Sequence, residues 1–306
     1  MAVTSERSAR RPPRPSRGGD WSGLCFVAPF FVAYTLFLIV PLLLGLKMSL
    51  SHASLAGGNT EFAGLDNFLR AVTDPAVWTS LWHTALFTLL STPLLVVTGL
   101  VLALLAHNLA PARWLWRLSF FAPFLLPSSV VALIFVWIFQ PGFGLADGLL
   151  AMIGLDVRVG WLASPSKAML SIVFVTVWWT AGFNFLLYLA ALQAIPAPLY
   201  EAAALDGASW WQQLWRITLP MLKRTTGLVI VLQLLASLKV FDQIYLITGG
   251  GPGHSTRPVI QYIYETGFTN FQIGYASAIS YIFFALILLV ALAQVRLSRT
   301  REEATS

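Results

Sequence analysis

The chain has 306 residues, of which 57% are hydrophobic and only 10% charged, against about 45–50% and about 25% in soluble globular proteins. A mean hydropathy of +0.74 excludes an ordinary cytosolic enzyme, a disordered protein and a secreted disulfide scaffold, because so apolar a surface would aggregate in water. The net charge of +6 reads, in such a chain, as orientation charge at a lipid bilayer and not as a nucleic-acid footprint.

Residues 1–20 are rich in Arg, Pro, Ser and Gly and are expected to form a disordered tail. Six runs then reach the roughly 20 apolar residues that cross about 30 Å of hydrocarbon. The first, Gly23–Leu46, carries no charge. It is longer than the apolar region of a signal peptide and no A-x-A cleavage site follows it, so it is expected to stay as a membrane helix. Its Cys25, the only cysteine, is expected to be a buried thiol without redox or metal role. The second run is Ala85–Ala106, with Pro93 inside, and the third is Leu118–Phe139, with Pro123 and Pro127 near its start. Neighbouring helices can satisfy the backbone groups such prolines free. The fourth is Ala168–Ala191, the fifth Thr226–Ile247 with Lys239 and Asp242 inside, and the sixth Ile273–Gln294. The expected fold is therefore all-α and integral to the membrane. The membrane domain is expected over 21–297, followed by a second tail over 298–306.

Thirteen Lys and Arg fall on the side of the termini: in the N-terminal tail, in the loops at about 107–117 and 192–225, and at the C-terminal end from Arg296 onward. Four fall on the other side (Arg70, Arg158, Lys167, Arg257), or five with Lys47. Positive charge marks the cytoplasmic side, so both termini are expected there. The connections at about 47–84, 140–167 and 248–272 then face outward.

The inner loop before the fifth run is the most informative stretch. Glu201-Ala202-Ala203 is followed by Gly207, six residues after the Glu, and nine residues later by Ile217-x-Leu219-Pro220. Residues 199–206 favour a helix that Gly207 can stop. A second short amphipathic piece, Trp210 to Ile217, is expected before Pro220. Together, over about 197–222, they make a helix–turn–helix lying under the bilayer. Taken alone, this is either an interfacial helix anchored by Trp210, Trp211 and Trp215 or a docking knob for a cytosolic partner.

The loop resembles the EAA motif of binding-protein-dependent ABC importer permeases, with every position of the pattern present. Further matches run along the chain: Ala28-Pro29 and Pro41, then Phe62-x-Gly64-Leu65-x-Asn67-Phe68, then Ala190-x-Leu192-Gln193-x-Ile195-Pro196. Phe241-Asp242-x-Ile244-Tyr245-x-x-Thr248-Gly249-Gly250-Gly251-Pro252 and Tyr275-Ala276-Ser277-Ala278 complete them. They are similar to the carbohydrate branch, and the Gly-Gly-Gly-Pro loop to the maltose or glycerol-phosphate type of subunit that pairs with a second, different permease. The resemblance implies the six-helix type I permease fold in a prokaryotic inner membrane. It implies as partners a second permease, two ATPase subunits and an extracytoplasmic solute-binding protein. The ATPase-coupling residues it implies are Glu201, Ala202, Ala203, Asp206, Gly207, Arg216, Ile217, Leu219 and Pro220. Arg216 suits an anionic headgroup equally well.

The phosphate-cradling pattern G-x-x-x-x-G-K-[ST] is absent from the sequence. The four histidines are scattered, with no i,i+4 pair for a metal. The chain is therefore expected to be no enzyme, to have no catalytic residue and to hold no cofactor or metal, with ATP and Mg2+ bound by the partner ATPase. Charges inside a membrane face a cavity or each other. Lys239 and Asp242, at i,i+3, would share a helix face about 20 Å along the fifth run, as a mutual ion pair or as cavity lining. Asn184, Trp178, Gln233 and Tyr245 join them as candidates for the substrate path, with helix packing the competing role for each. The expected solute is a sugar, with glycerol-3-phosphate or a glycerophosphodiester as the alternative. A membrane-embedded transferase would want clustered carboxylates, which are dispersed here. A stand-alone secondary carrier would want two matched halves and no ATPase-docking loop.

Overall fold

The structure, a computed structural model, describes residues 21–57, 61–108, 113–155 and 159–303. The expected tail at 1–20, Arg158 and the Cys25 side chain lie outside them. Most described residues are helical, and the only β pairing among them is an isolated bridge between Ser51 and Phe62. The chain divides into two units, Met1–Gly45 and Leu46–Ser306.

The first span, Phe26–Ser49, has no buried residue in its most apolar window. Its turn Thr35–Ile39 is widened to a π-helix. That turn ends two residues before Pro41, whose missing N–H and ring disrupt the regular ladder. The second span belongs to the helix Pro75–Asn108, which starts ten residues before the expected Ala85. Asp74 caps it by accepting a hydrogen bond from the Ala76 amide at 2.8 Å, and Pro75 sits where a missing N–H costs nothing. Its 34 residues are about 50 Å long, so its outer turns stand beyond the hydrocarbon.

The third run is not one straight helix. A segment Trp114–Leu125 meets Ser128–Ile138 at 93°, through a 3-10 turn at Ala122–Leu125. Pro123 and Pro127 bracket the corner. The described residues thus hold five helices apolar and long enough to span, or six with the bent pair counted once. The fourth span is Pro165–Gln193 and the sixth Ile273–Gln294, within a helix that runs on to Glu303.

The fifth run departs from expectation at both ends. The helix Leu219–Leu238 stops at Lys239, and a separate helix Asp242–Thr248 follows Phe241, whose φ of −149° and ψ of −65° interrupt the ladder. The turn lets Ile244 and Ile247 bury in a cluster with Phe135, Phe139, Ile172 and Val240. At its other end, Trp210–Gln213 joins the span through a π-turn at Leu214–Thr218. The expected second piece of the loop is therefore the cytoplasmic extension of the fifth span and not a separate helix. The wide turn accommodates Pro220, which lacks the N–H a regular turn would use.

The second and fourth spans form the central pair. Ala103, Ala106, Phe185, Tyr188, Leu189, Leu222 and Val229 fill the cytoplasmic half of this core. A third cluster, with Ala71, Val77, Val259, Tyr275 and Ile279, closes the outer half.

Candidate coupling loop and solute path

The loop that carries Glu201 is built to be stiff. Its first arm is the helix Ala197–Leu205, started by Pro196-Ala197-Pro198 and filled with alanine, the best helix former. Gly207 ends it at φ +75°. There the Gly207 amide donates to Ala204 O at 3.1 Å and the Ala208 amide to Ala203 O at 2.9 Å. This pair of bonds is a Schellman turn, and its left-handed position suits glycine. Ser209 opens the second arm with a capping box: the Gln212 amide donates to Ser209 Oγ, and the Ser209 amide to Gln212 Oε1 at 2.7 Å. Tyr200 and Thr218 hydroxyls, 2.9 Å apart, tie the two arms together.

This frame leaves the motif residues outward. Glu201, Ala202, Asp206, Gly207, Arg216 and Pro220 are exposed, and Ala203, Ile217 and Leu219 half-buried. Ala203, Asp206, Gly207, Arg216 and Ile217 line one concavity of about 320 Å³. Beside them Leu205 is 90% exposed. In the sequence Leu205 looks like one more helix former, and nothing there marks it as a contact residue. Ser209 and Gln212 do carry a signal that the motif overshadows, since S-x-x-Q is the signature of a capping box.

The membrane interior holds a second set of polar groups. Asn184 is fully buried. Its Nδ2 donates to Leu95 O at 3.2 Å, and its Oδ1 accepts from Gln233 Nε2 at 2.8 Å. Ser237 Oγ lies 3.2 Å from Ser91 Oγ and 3.4 Å from Thr92 Oγ1. These bonds stitch the second, fourth and fifth spans together, so Asn184 spends its hydrogen bonds on helix packing. Gln233 and Ser237 also line a cavity of about 320 Å³ with Phe124, Thr176, Phe183 and Gln243.

The other candidates are placed apart. Trp178 is 42% exposed and packs edge-on against Phe135. Its neighbour Trp179 donates from Nε1 to Leu126 O at 3.0 Å, holding the corner of the third span. Lys239 and Asp242 stand on opposite sides of the break and are both exposed. Among the described residues no ion pair joins them, because the single helix face they would share does not exist. Tyr245 stacks on Phe241 with ring centres 5.2 Å apart, and Tyr264 and Phe268 extend the aromatic row.

The outer rim is a polar network. Gly249 O accepts from Gln261 Nε2 at 2.8 Å, and the same amide reaches Glu265 Oε1. Arg257 pairs with Glu265 at 3.1 Å. Asn67 donates to the carbonyls of Ser49 and Ser51, both at 3.0 Å, closing the first outer loop. Asp74 Oδ2 accepts from Tyr262 at 2.7 Å and from Tyr275 at 2.6 Å. Burial pushes the Asp74 carboxyl up. The Tyr275 and Tyr262 hydroxyls, the Ala76 amide and the Arg70 charge outweigh burial and hold it below the ordinary 3.8.

A lowered folded-state pKa means that the ionised form stabilises the fold. The contribution is present above the unfolded value and is lost as the pH falls through the folded one. Tyr262→Phe with Tyr275→Phe is therefore expected to destabilise the purified protein at pH 7, by about 1.5–3 kcal/mol for each bond to the carboxylate. Thermal unfolding in detergent from pH 7 down to about pH 3 checks this. The deficit relative to the unsubstituted chain should shrink once the pH passes below the ordinary carboxylate range.

Residues 95–302 match the family described as binding-protein-dependent transport system inner membrane component. The chain is 35% identical over 277 residues to the sulfoquinovosyl glycerol transport system permease protein of Agrobacterium fabrum, covering 90% of each. It is 32% identical over 281 residues to the trehalose/maltose transport system permease protein of Thermococcus litoralis, covering 92% of this chain and 95% of that one. Among solved structures, it superposes with a TM-score of 0.80 and 27% identity on a chain of a bacterial alginate ABC transporter. That transporter was crystallised in complex with alginate pentasaccharide-bound periplasmic protein; the match covers 92% of this chain and 95% of the other.

Proposed function

This chain belongs to the family of inner-membrane components of binding-protein-dependent transport systems, and we propose from that premise that it is one of two different permease subunits of an ATP-driven sugar importer. The observation that carries the coupling role is the loop at 197–222: a braced turn that presents Leu205, Glu201 and a small concavity on its outward side. A stand-alone carrier has no use for such a knob. The partner ATPase binds ATP and Mg2+ and hydrolyses the nucleotide, and this chain moves with it.

The relatives' solutes supply the substrate class. Sulfoquinovosyl glycerol, trehalose or maltose, and alginate are all carbohydrates by name. The cavity at the break of the fifth span suits such a solute, since Gln233, Ser237, Thr176 and Gln243 offer donors and acceptors beside the rings of Phe124 and Phe183. Lys239 favours a second reading. It is exposed and without an ion pair among the described residues. Ala236 and Ser237 line the cavity wall, and Lys239 follows them within one turn. A cation so placed suits an acidic sugar or a glycerol-linked phosphate.

Uptake by the reconstituted importer tests both readings. Lys239→Gln is expected to raise the half-saturating concentration of an acidic sugar about tenfold, the lower end of a charged hydrogen bond's contribution, and to leave a neutral sugar unchanged. Equal losses for both solutes would remove Lys239 from the path.

A further inference from the structure

On the outer side, the bent third span, the helix Leu145–Met152 and the first turns of the fourth span enclose a cavity of about 530 Å³. It has no part in the solute path described above. Its walls are largely apolar, with Phe135, Phe139, Leu149, Trp161 and Phe174 among them, and Lys167 also lines it. Lys167 is exposed and makes no ion pair among the described residues. Asp147, the acid on the short helix, is already engaged by Trp161 Nε1 at 2.9 Å and by the Gly142 amide at 3.2 Å. An apolar cavity of this size offers water too few polar partners to hold it.

We propose that this cavity is a lipid site, which takes one acyl chain of an outer-leaflet anionic phospholipid and sets its net-negative headgroup beside Lys167. A bilayer tail is as apolar as the cavity wall, so burying the chain gives little preference of its own. The selectivity comes from the charge. One lysine near a membrane surface favours an anionic headgroup by about fivefold. The lipid would brace the outer end of the third span, where Phe135 and Phe139 share a buried cluster with Ile244 and Ile247 of the helix Asp242–Thr248.

The test uses the whole importer complex in nanodiscs, with phosphatidylglycerol or phosphatidylcholine carrying a photoreactive diazirine near the end of one acyl chain. Adducts on Leu149, Phe174 or their neighbours are expected, with phosphatidylglycerol favoured about fivefold. Lys167→Gln should bring the two lipids to equal yield. Ala146→Trp, which projects an indole into the cavity, should reduce the adducts of both. Adducts absent from the cavity walls, a yield indifferent to headgroup and to Lys167, or walls covered by a helix of the partner permease would each overturn the proposal.

Discussion

A chain carrying Glu201→Ala and Gly207→Asp is expected to lose its ATPase and its solute uptake while it still folds in the membrane. Both residues lie on the exposed side of the loop, away from the three buried clusters, so the core has no reason to fail. Gly207 sits at φ +75°, with no atom within 4 Å of where a Cβ would stand. The cost there is one of backbone conformation and not of space, about 1–2 kcal/mol for a residue other than glycine. The aspartate also adds a negative charge beside Asp206 at the C-terminal end of the helix Ala197–Leu205, where the helix dipole disfavours it. Glu201→Ala alone removes the exposed carboxylate of the motif and is expected to weaken docking without abolishing it. Leu205→Asp extends the test to a residue outside the motif. Its exposed side chain would lose about 1.5–3 kcal/mol of burial against a partner. Co-purification of the ATPase and uptake by reconstituted vesicles are the measurements. Retained uptake in all three variants would remove the loop from coupling.

Gly99→Leu is expected to reduce the yield of folded protein more than any substitution in the loops. Gly99 lies on the second span where it meets the fourth. A Cβ there would stand 2.5 Å from Asn184 Cβ, 3.2 Å from Asn184 C and 3.2 Å from Phe185 N. Membrane helices use small residues for such close approach. The larger side chain must push the two spans apart, which costs about 1–3 kcal/mol as overpacking. It also pulls Asn184 away from Leu95 O and Gln233, leaving buried amide groups unpaired at about 1–3 kcal/mol each. Gly227→Ala is the control, because nothing lies within 4 Å of its Cβ position, and it should match or slightly exceed the unsubstituted chain. Thermal unfolding and the monodisperse fraction in detergent separate the two. A Gly99→Leu protein as stable as the Gly227→Ala protein would mean that the second and fourth spans do not meet as described.

Much of this fold was legible because membrane spans announce themselves by length and apolarity alone. The second, fourth and sixth helices follow directly from that rule. The third and fifth show its limits. Pro123 and Pro127 are visible in the sequence, yet a proline within a span does not by itself tell a kink from a corner of 93°. The break at Lys239–Phe241 has neither Pro nor Gly to mark it. It is decided by where Ile244 and Ile247 find a surface to bury against, which is tertiary information. The pairing expected of Lys239 with Asp242 fails with it, since it presumes an unbroken helix. Asn184 is visible as a polar residue in need of a partner, and only packing reveals that Leu95 and Gln233 supply it. In the loop, the motif locates the site. Pro220 reads as a stop, whereas the wide turn at Leu214–Thr218 carries the helix through it.

Residues 197–222 are expected to seat in an ATPase. The most direct measurement places a photoreactive amino acid at position 205, in place of Leu205, and irradiates cells that express the chain with its neighbouring permease and ATPase. An adduct is expected whose second component is a cytosolic protein carrying a phosphate-cradling G-x-x-x-x-G-K-[ST] loop, formed at position 205 and not at the outer position Leu149. Adducts to lipid alone at position 205, in a complex that assembles and folds, would contradict it.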